Sequence, residues 1–385
     1  MTTDITPAGT TPNETTAVMI CGHGSRDDDA TREFANLVER LRPRLPHPLE
    51  YGYLEFARPI IRDGLAKLVQ GGARRILAQP AMLFAAGHVK NDLPWELNTF
   101  ASETPGVSVE YGRDLALDLT LLEAARARIE EAERGAGRTV ERVDTALVVV
   151  GRGTNDPDAN SNIAKVMRML WEGMGFGWGA VAYSGVAHPR VNAALARISR
   201  MGFKRVIVFP YFLFTGVLVK RIYTQTDEIA ALAPDIEFLK AGYLNDHPLV
   251  IDAFVERIGE ITTGDNVMNC RLCKYRAQII GYEADVGAVQ AGHHLHVRGI
   301  GTDGDHAHGH HHHDHGHGHG HGHGHGHGHG HGHDHGHGHH HHGHGHSHAH
   351  GHGHAHDHDH DHGHAHDHGH AGDHSHGHSP GHEKK

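Results

Sequence analysis

Cysteine is scarce in this 385-residue chain, which has only Cys21, Cys270 and Cys273. Three thiols cannot make a full disulfide framework, and two of them in Cys-x-x-Cys spacing point to a reducing compartment and to metal or redox work. The chain also lacks a basic surplus. Its net charge is −11 with histidine neutral, and no block of Lys and Arg stands out, which excludes an electrostatic nucleic-acid binder. No apolar run approaches the roughly 18 to 20 residues needed to cross a bilayer. The first sixteen residues, MTTDITPAGTTPNETT, have neither the basic start nor the apolar stretch of a secretory signal. These absences predict a cytoplasmic protein with no membrane or nucleic-acid partner, and a disordered leader over 1–16.

From about Gly301 onward apolar side chains almost vanish, so this part cannot add to a core. Of the 48 histidines, eight precede it (His23, His47, His88, His188, His247, His293, His294 and His296), leaving 40 in the terminal stretch. Alternating His and Gly with scattered Asp predicts a disordered tail over 301–385. Closely spaced neutral imidazoles bind divalent metals weakly one by one and tightly together, so the tail is expected to load several ions. Imidazole favours nickel, copper and zinc at least as well as cobalt, which suits a reservoir better than a selectivity device.

Between leader and tail one pattern is written twice. VMICGHGS (18–25) matches VVVGRGT (148–154), GYLEFARP (52–59) matches AYSGVAHP (182–189), and QPAMLFAAGHVKND (79–92) matches FPYFLFTGVLVKRI (209–222), at an offset of 129 or 130. Repeats of this length are duplicated domains. Each copy alternates short apolar runs with helical patterns. Strands are expected at Ala17–Cys21, Leu49–Leu54, Arg75–Gln79 and Val107–Tyr111, and again at Thr145–Val150, Ala180–Ser184, Arg205–Phe209 and Ile236–Lys240. Strand-helix alternation with short connections predicts an α/β fold of two tandem flavodoxin-like domains, each a parallel sheet covered by helices. The boundaries are placed at 17–138 and 144–262, followed by a Cys-x-x-Cys segment over 263–300.

The copies differ where the chemistry would be. His23 stands opposite Arg152, Glu55 opposite Gly185, and His88 opposite Leu218. Ligands of open parallel sheets sit beyond the carboxyl ends of the strands, and His23, Glu55 and His88 follow the first, second and third strands. The topology therefore gathers them at one rim. Two imidazoles and a carboxylate suit a reaction that handles a divalent metal and protons together. Taken singly, His23 between two glycines could be a structural or phosphate-cradling turn residue, and His88 and Glu55 ordinary surface or core groups. Their joint loss from the second copy favours function in the first.

HGSR (23–26), LEFARP (54–59), FAAGHVKNDLP (84–94), GRGTNDPDANSN (151–162) and CRLCKYR (270–276) resemble the class II tetrapyrrole chelatases, specifically the long, two-domain sirohydrochlorin cobaltochelatases, over residues 17–300. The resemblance implies insertion of Co2+ into sirohydrochlorin on the anaerobic route to cobalamin. Iron or nickel insertion, or metal storage and delivery without chelatase activity, are the alternatives. It also implies that the histidines matching His23 and His88 serve at the metal and proton-transfer site, while a glutamate at the position of Glu55 is assigned in some relatives only. His88 is expected as general base and metal ligand, His23 as second ligand or proton acceptor, and Glu55 as charge-balancing relay. Sirohydrochlorin carries many carboxylates, so local cations must offset the acidic chain; Arg26, Arg58, Lys90 and Arg152 are the candidates.

The resemblance further associates Cys270 and Cys273 with a [4Fe–4S] cluster. Two cysteines supply half of a four-thiolate set, so the remainder would come from a second subunit, which would make a homodimer, from Cys21, or from non-cysteine ligands. A redox disulfide or exposed thiols are the other readings. Cys21 itself reads as a buried strand-end residue, and His293, His294 and His296 are not counted as catalytic.

Overall fold

The structure, a computed structural model, describes residues 15–268 and 272–287. Cys270, the three histidines at 293–296 and the histidine-rich stretch lie outside the described residues. Eight strands form two four-stranded sheets. The first holds β1 (Thr16–Gly22), β2 (Leu49–Tyr53), β3 (Arg75–Pro80) and β4 (Ser108–Tyr111); the second holds β5 (Thr145–Gly151), β6 (Trp178–Tyr183), β7 (Arg205–Pro210) and β8 (Glu237–Lys240). Both are wholly parallel, in the orders β2-β1-β3-β4 and β6-β5-β7-β8. This is the flavodoxin order without its fifth strand. Every strand and helix expected from the repeat is present.

The interleaved helices are α1 (Asp28–Leu41), α2 (Ile61–Gln70), α3 (Leu93–Glu103), α4 (Leu119–Arg134), α5 (Pro157–Met174), α6 (Val191–Ile198), α7 (Val217–Leu232) and α8 (Pro248–Thr263). Three of these helices start at an aspartate side-chain cap. Asp27 accepts from the amide of Asp29 at α1, Asp118 from Thr120 at α4, and Asp156 from Asp158 and Ala159 at α5. Each cap satisfies amides that the first helical turn leaves unpaired.

The central strands alternate between two cores, as side chains on successive strand residues must. In β1, Ala17, Met19 and Cys21 face an outer core shared with α2 and α3, while Val18 and Ile20 face inward. In β5, Ala146, Val148 and Val150 face the outer core of the second half, while Leu147 and Val149 face inward. The inward residues join Leu37 and Leu41 of α1, Leu121 and Ile129 of α4, Val166 and Leu170 of α5, and Phe254 and Ile258 of α8 in one continuous core. The sequence suggested two self-sufficient halves. Instead α8, at the end of the second half, packs against β3, and α4, at the end of the first, packs against β7 and β8. The exchange makes the halves one body.

Polar contacts follow the same exchange. Arg257 of α8, 2% exposed, donates to the Asp118 carboxylate at 2.6 Å and to the Leu115 carbonyl at 3.2 Å, and also reaches Glu260. Arg113, after β4, makes a two-pronged pair with Glu260 at 2.7 and 2.9 Å. Glu33 of α1 accepts from the Thr215 amide and the Tyr243 hydroxyl. Among the described residues, no helix is long and apolar enough to cross a membrane.

Candidate active site

Each of the three residues marked by the repeat lies just beyond the carboxyl end of a strand: His23 after β1, Glu55 after β2 and His88 after β3. Gly24 brings the first two together. Its φ is +94°, and a Cβ there would sit 1.7 Å from the Glu55 carbonyl oxygen, so only glycine permits the approach. The loops are then joined by the Glu55 amide donating to the His23 carbonyl at 3.0 Å. Gly153 does the same for Arg152 and Gly185 in the second copy, with φ +81°. The scaffold is thus retained where the imidazole and the carboxylate are gone.

His88 is presented differently. Residues His88–Asp92 form a π-helical turn running into α3, closed by the Leu93 amide bonding the His88 carbonyl. The paired positions Arg75 and Ser108 are 33 residues apart, whereas their counterparts Arg205 and Glu237 are 32 apart. A π turn absorbs one extra residue in a helix and recurs at functional sites. The second copy, lacking that residue, runs as regular helix through Leu218. The π turn is held from inside by the Tyr111 hydroxyl donating to the Val89 carbonyl at 3.0 Å.

One ligand atom from each of His23, Glu55 and His88 lies within 4.8 Å of the others. The two imidazoles meet edge to face, centroids 4.7 Å apart. His23 Nδ1 is 2.9 Å from the Gly24 carbonyl, which can only accept, so Nδ1 carries the proton and Nε2 is bare. That Nε2 lies 3.3 Å from Glu55 Oε1 and has no hydrogen-bond partner. Burial, followed by His88 and Arg152, pulls the His23 pKa down to about 3, so the ring is neutral near pH 7 and the contact is not an ion pair. Burial also raises the Glu55 pKa, opposed by His88, Arg152 and Arg26. A nitrogen with a free lone pair and a carboxyl oxygen facing each other, with His88 beside them, form a group that could hold a divalent cation or share a proton.

Asp92 is a participant that the repeat comparison did not single out. Its Oδ2 lies 2.7 Å from His88 Nδ1, and its Oδ1 accepts from the Asn91 side chain at 2.9 Å. A buried carboxylate on Nδ1 fixes the tautomer and leaves His88 Nε2 for a metal or a proton. The His-x-x-x-Asp spacing was the available sequence signal.

The four candidate cations separate. Arg152 comes from the second half, yet acts electrostatically on both His23 and Glu55. Arg26 is exposed, with its guanidinium 4.9 Å above the Phe56 ring and in the field of Glu55. Arg58 is exposed on the loop after β2. Lys90 is placed elsewhere than expected for a group that meets substrate carboxylates. It is buried, and its ammonium lies 2.7 Å from Asp156 Oδ2 and 3.3 Å from Asp158 Oδ2 in the second half.

Cys273 is buried within electrostatic reach of the Lys90 ammonium. Its segment is held by Lys274, which pairs with Asp285 at 2.8 Å and lies over the Tyr275 and Tyr282 rings. Cys21 is fully buried in the outer core of the first half, and burial raises its pKa far above the thiol range, so it is no thiolate donor. Four thiolates therefore cannot be drawn from one chain, and the resident donor set does not fit a four-thiolate cluster.

Comparison with known proteins adds the chemistry. The CbiX family model matches residues 17–132 and 146–261. A sirohydrochlorin cobaltochelatase of Priestia megaterium is 35% identical over 271 residues, covering 69% of this chain and 86% of that protein. A sirohydrochlorin ferrochelatase of the same organism is 30% identical over 232 residues, covering 60% and 85%. Among solved structures, SirB of Bacillus subtilis with Fe3+ superposes with a TM-score of 0.58 at 27% identity, over 65% of this chain and 98% of that one. SirB of Bacillus subtilis subspecies spizizenii in complex with cobalt gives 0.55 at 26% identity, over 65% and 96%.

Proposed function

The chain belongs to the CbiX family of sirohydrochlorin chelatases, and from that premise we propose that it inserts Co2+ into sirohydrochlorin to give cobalt-sirohydrochlorin. The carrying observation is the triad itself: two imidazoles and a carboxylate converge after three different strands, with the His23 and Glu55 ligand atoms facing each other across 3.3 Å. Weight toward cobalt comes from the 35% identical cobaltochelatase relative, against 30% for the ferrochelatase. The ligands suit neighbouring divalent ions alike, so iron insertion is the second reading, supported by the 30% identical ferrochelatase relative.

Insertion replaces two pyrrole N–H protons with one dication, so charge is conserved if the protein carries the protons away. His23, held neutral with Nε2 bare, serves as a metal ligand. His88, backed by the Asp92 carboxylate, takes a pyrrole proton at Nε2 as the metal leaves for the macrocycle, and general-base help of this kind contributes about 10² to 10⁴-fold. Glu55 balances the charge of the incoming dication and relays protons toward solvent. Arg152, Arg26 and Arg58 meet the carboxylates of sirohydrochlorin, which an acidic chain must otherwise repel.

The forty terminal histidines would load divalent ions as a reservoir. An iron–sulfur cluster on Cys270 and Cys273 would need its other ligands from a second subunit or from non-cysteine groups, and no step here depends on it. The test is the anaerobic absorbance change of sirohydrochlorin with cobalt and catalytic amounts of protein, beside its His88→Ala variant. Rapid insertion lost in the variant supports the reading. No acceleration by the wild type, despite bound metal, would move the protein to storage or delivery.

A further inference from the structure

The two halves exchange the same lysine. Lys90, two residues after His88, reaches Asp156 and Asp158 at 2.7 and 3.3 Å. Lys220, its counterpart in the repeat, reaches Asp27 and Asp29, the counterparts of Asp156 and Asp158, at 2.7 and 3.1 Å. Each lysine therefore grips the first turn of a helix in the opposite half, α5 in one case and α1 in the other. The exchange has the reciprocity of an isologous interface. Its two ends are nonetheless unequal. The Lys90 side chain is 6% exposed and the Lys220 side chain 53%. Lys90 stands in the one-residue-longer π turn beside a metal-site histidine, whereas Lys220 stands in regular helix beside Leu218.

We propose that Lys90 is a positioning residue for His88, and that the β5–α5 loop of the second half is the clamp on which it is held. The loop acts at both ends. Arg152 bears on His23 and Glu55, and Asp156, four residues later, holds the π turn that carries His88. A π turn replaces the regular i→i−4 bonds by wider i→i−5 ones, so a tether from outside the helix adds to the Asp92 and Tyr111 bonds in deciding where His88 points. The buried ammonium between two buried carboxylates supplies that tether, because a desolvated pair with good geometry tolerates little displacement. This also accounts for Lys90 lying away from the surface where substrate carboxylates would bind. The second half, on this view, completes the first site rather than carrying one of its own.

The inference rests on the chelatase reading, and the test separates the two. Full-length wild type, Lys90→Met, Lys90→Arg and Lys220→Met are compared by thermal melting, by fluorescence titration with metal-free sirohydrochlorin, and by anaerobic insertion kinetics with cobalt varied. The expected result is a 10- to 100-fold loss of kcat/KM for cobalt in Lys90→Met, the range seen when a group supporting a metal ligand is removed. Affinity for free sirohydrochlorin should be unchanged, Lys90→Arg should recover part of the loss, and Lys220→Met should stay within about twofold of wild type. A Lys90→Met loss no larger than that of Lys220→Met overturns the proposal. So does a loss confined to sirohydrochlorin affinity, which would return Lys90 to the substrate carboxylates. If Lys90→Met gives no cooperative melt, Asp158→Asn against Asp29→Asn decides by the same comparison. An inert wild type sinks the chelatase reading itself, whereas an active wild type with an unaffected Lys90→Met sinks only the positioning role.

Discussion

Replacing Asp92 with asparagine tests the arrangement of the site most directly. The carboxylate is 6% exposed and lies 2.7 Å from His88 Nδ1, so the bond is short, desolvated and charge-assisted when the proton rests on Nδ1. Asparagine has the same shape and can still accept through its oxygen, so packing is kept and only the charge is lost. Hydrogen bonds to charged groups are worth about 1.5 to 3 kcal/mol and neutral ones about half of that. An asparagine amide can also turn its NH2 toward the ring, which would put the proton on Nε2 and block it as a ligand. Together these give an expected loss of about 1.4 to 2.7 kcal/mol, or 10- to 100-fold in kcat/KM for cobalt. The assay is anaerobic insertion at saturating sirohydrochlorin with cobalt varied, and the KM for sirohydrochlorin should not move. Activity within twofold of wild type would show that His88 needs no carboxylate on Nδ1, and would refute the assignment of Nε2 as the working nitrogen.

Other consequences follow from groups away from the reacting atoms. Burial raises the Asp114 pKa from 3.8 to about 6, although it accepts from the Ala85 amide at 2.9 Å. The folded state therefore binds a proton more tightly than the unfolded state, and stability falls as pH rises from about 4 to 6. Asp114→Asn, which keeps an acceptor for Ala85, should change stability little at pH 4 and add up to about 3 kcal/mol at pH 7; a gain independent of pH in chemical denaturation would contradict this. Arg257→Met should leave Asp118 without its buried partner and cost roughly 3 to 5 kcal/mol in the same assay, because α8 would lose its anchor on the first half. Truncation after residue 300 should leave kcat at saturating cobalt unchanged and slow turnover only when metal is limiting; loss of turnover at saturating cobalt would show that the histidines take part in the reaction.

Much of this was legible in the sequence because it is written twice. Duplicate copies with a constant offset gave the strands, their order of use and the rim at which His23, Glu55 and His88 meet, since parallel topology leaves little choice about where strand ends point. What the sequence withheld were relations between the copies. Nothing in the apolar pattern of α4 or α8 says which sheet it covers, because either sheet offers an equally apolar face, and so the exchange of helices was not foreseen. The surroundings of Lys90 were hidden for the same reason: its neighbours are acidic residues 66 and 68 positions away in the other half. Asp92 was legible locally but lies inside a π turn, where helical spacing rules do not apply unchanged.

The residues kept and lost by the second copy argue for a division of labour rather than for decay. Gly153 keeps the close approach of its two loops, and Lys220 keeps its grip on α1, so the scaffold has been maintained. What has gone are the counterparts of His23, Glu55 and His88, and a permanent cation, Arg152, stands in place of the first histidine. A guanidinium at that position disfavours a metal ion at the second rim and, lying within electrostatic reach of His23 and Glu55, keeps the imidazole unprotonated and favours the charged form of Glu55. Two equivalent rims would compete for one macrocycle and one ion. On the proposed reading, a pair with the triad on one side and fixed positive charge on the other would give the dication and the carboxylates of sirohydrochlorin different sides of one cleft.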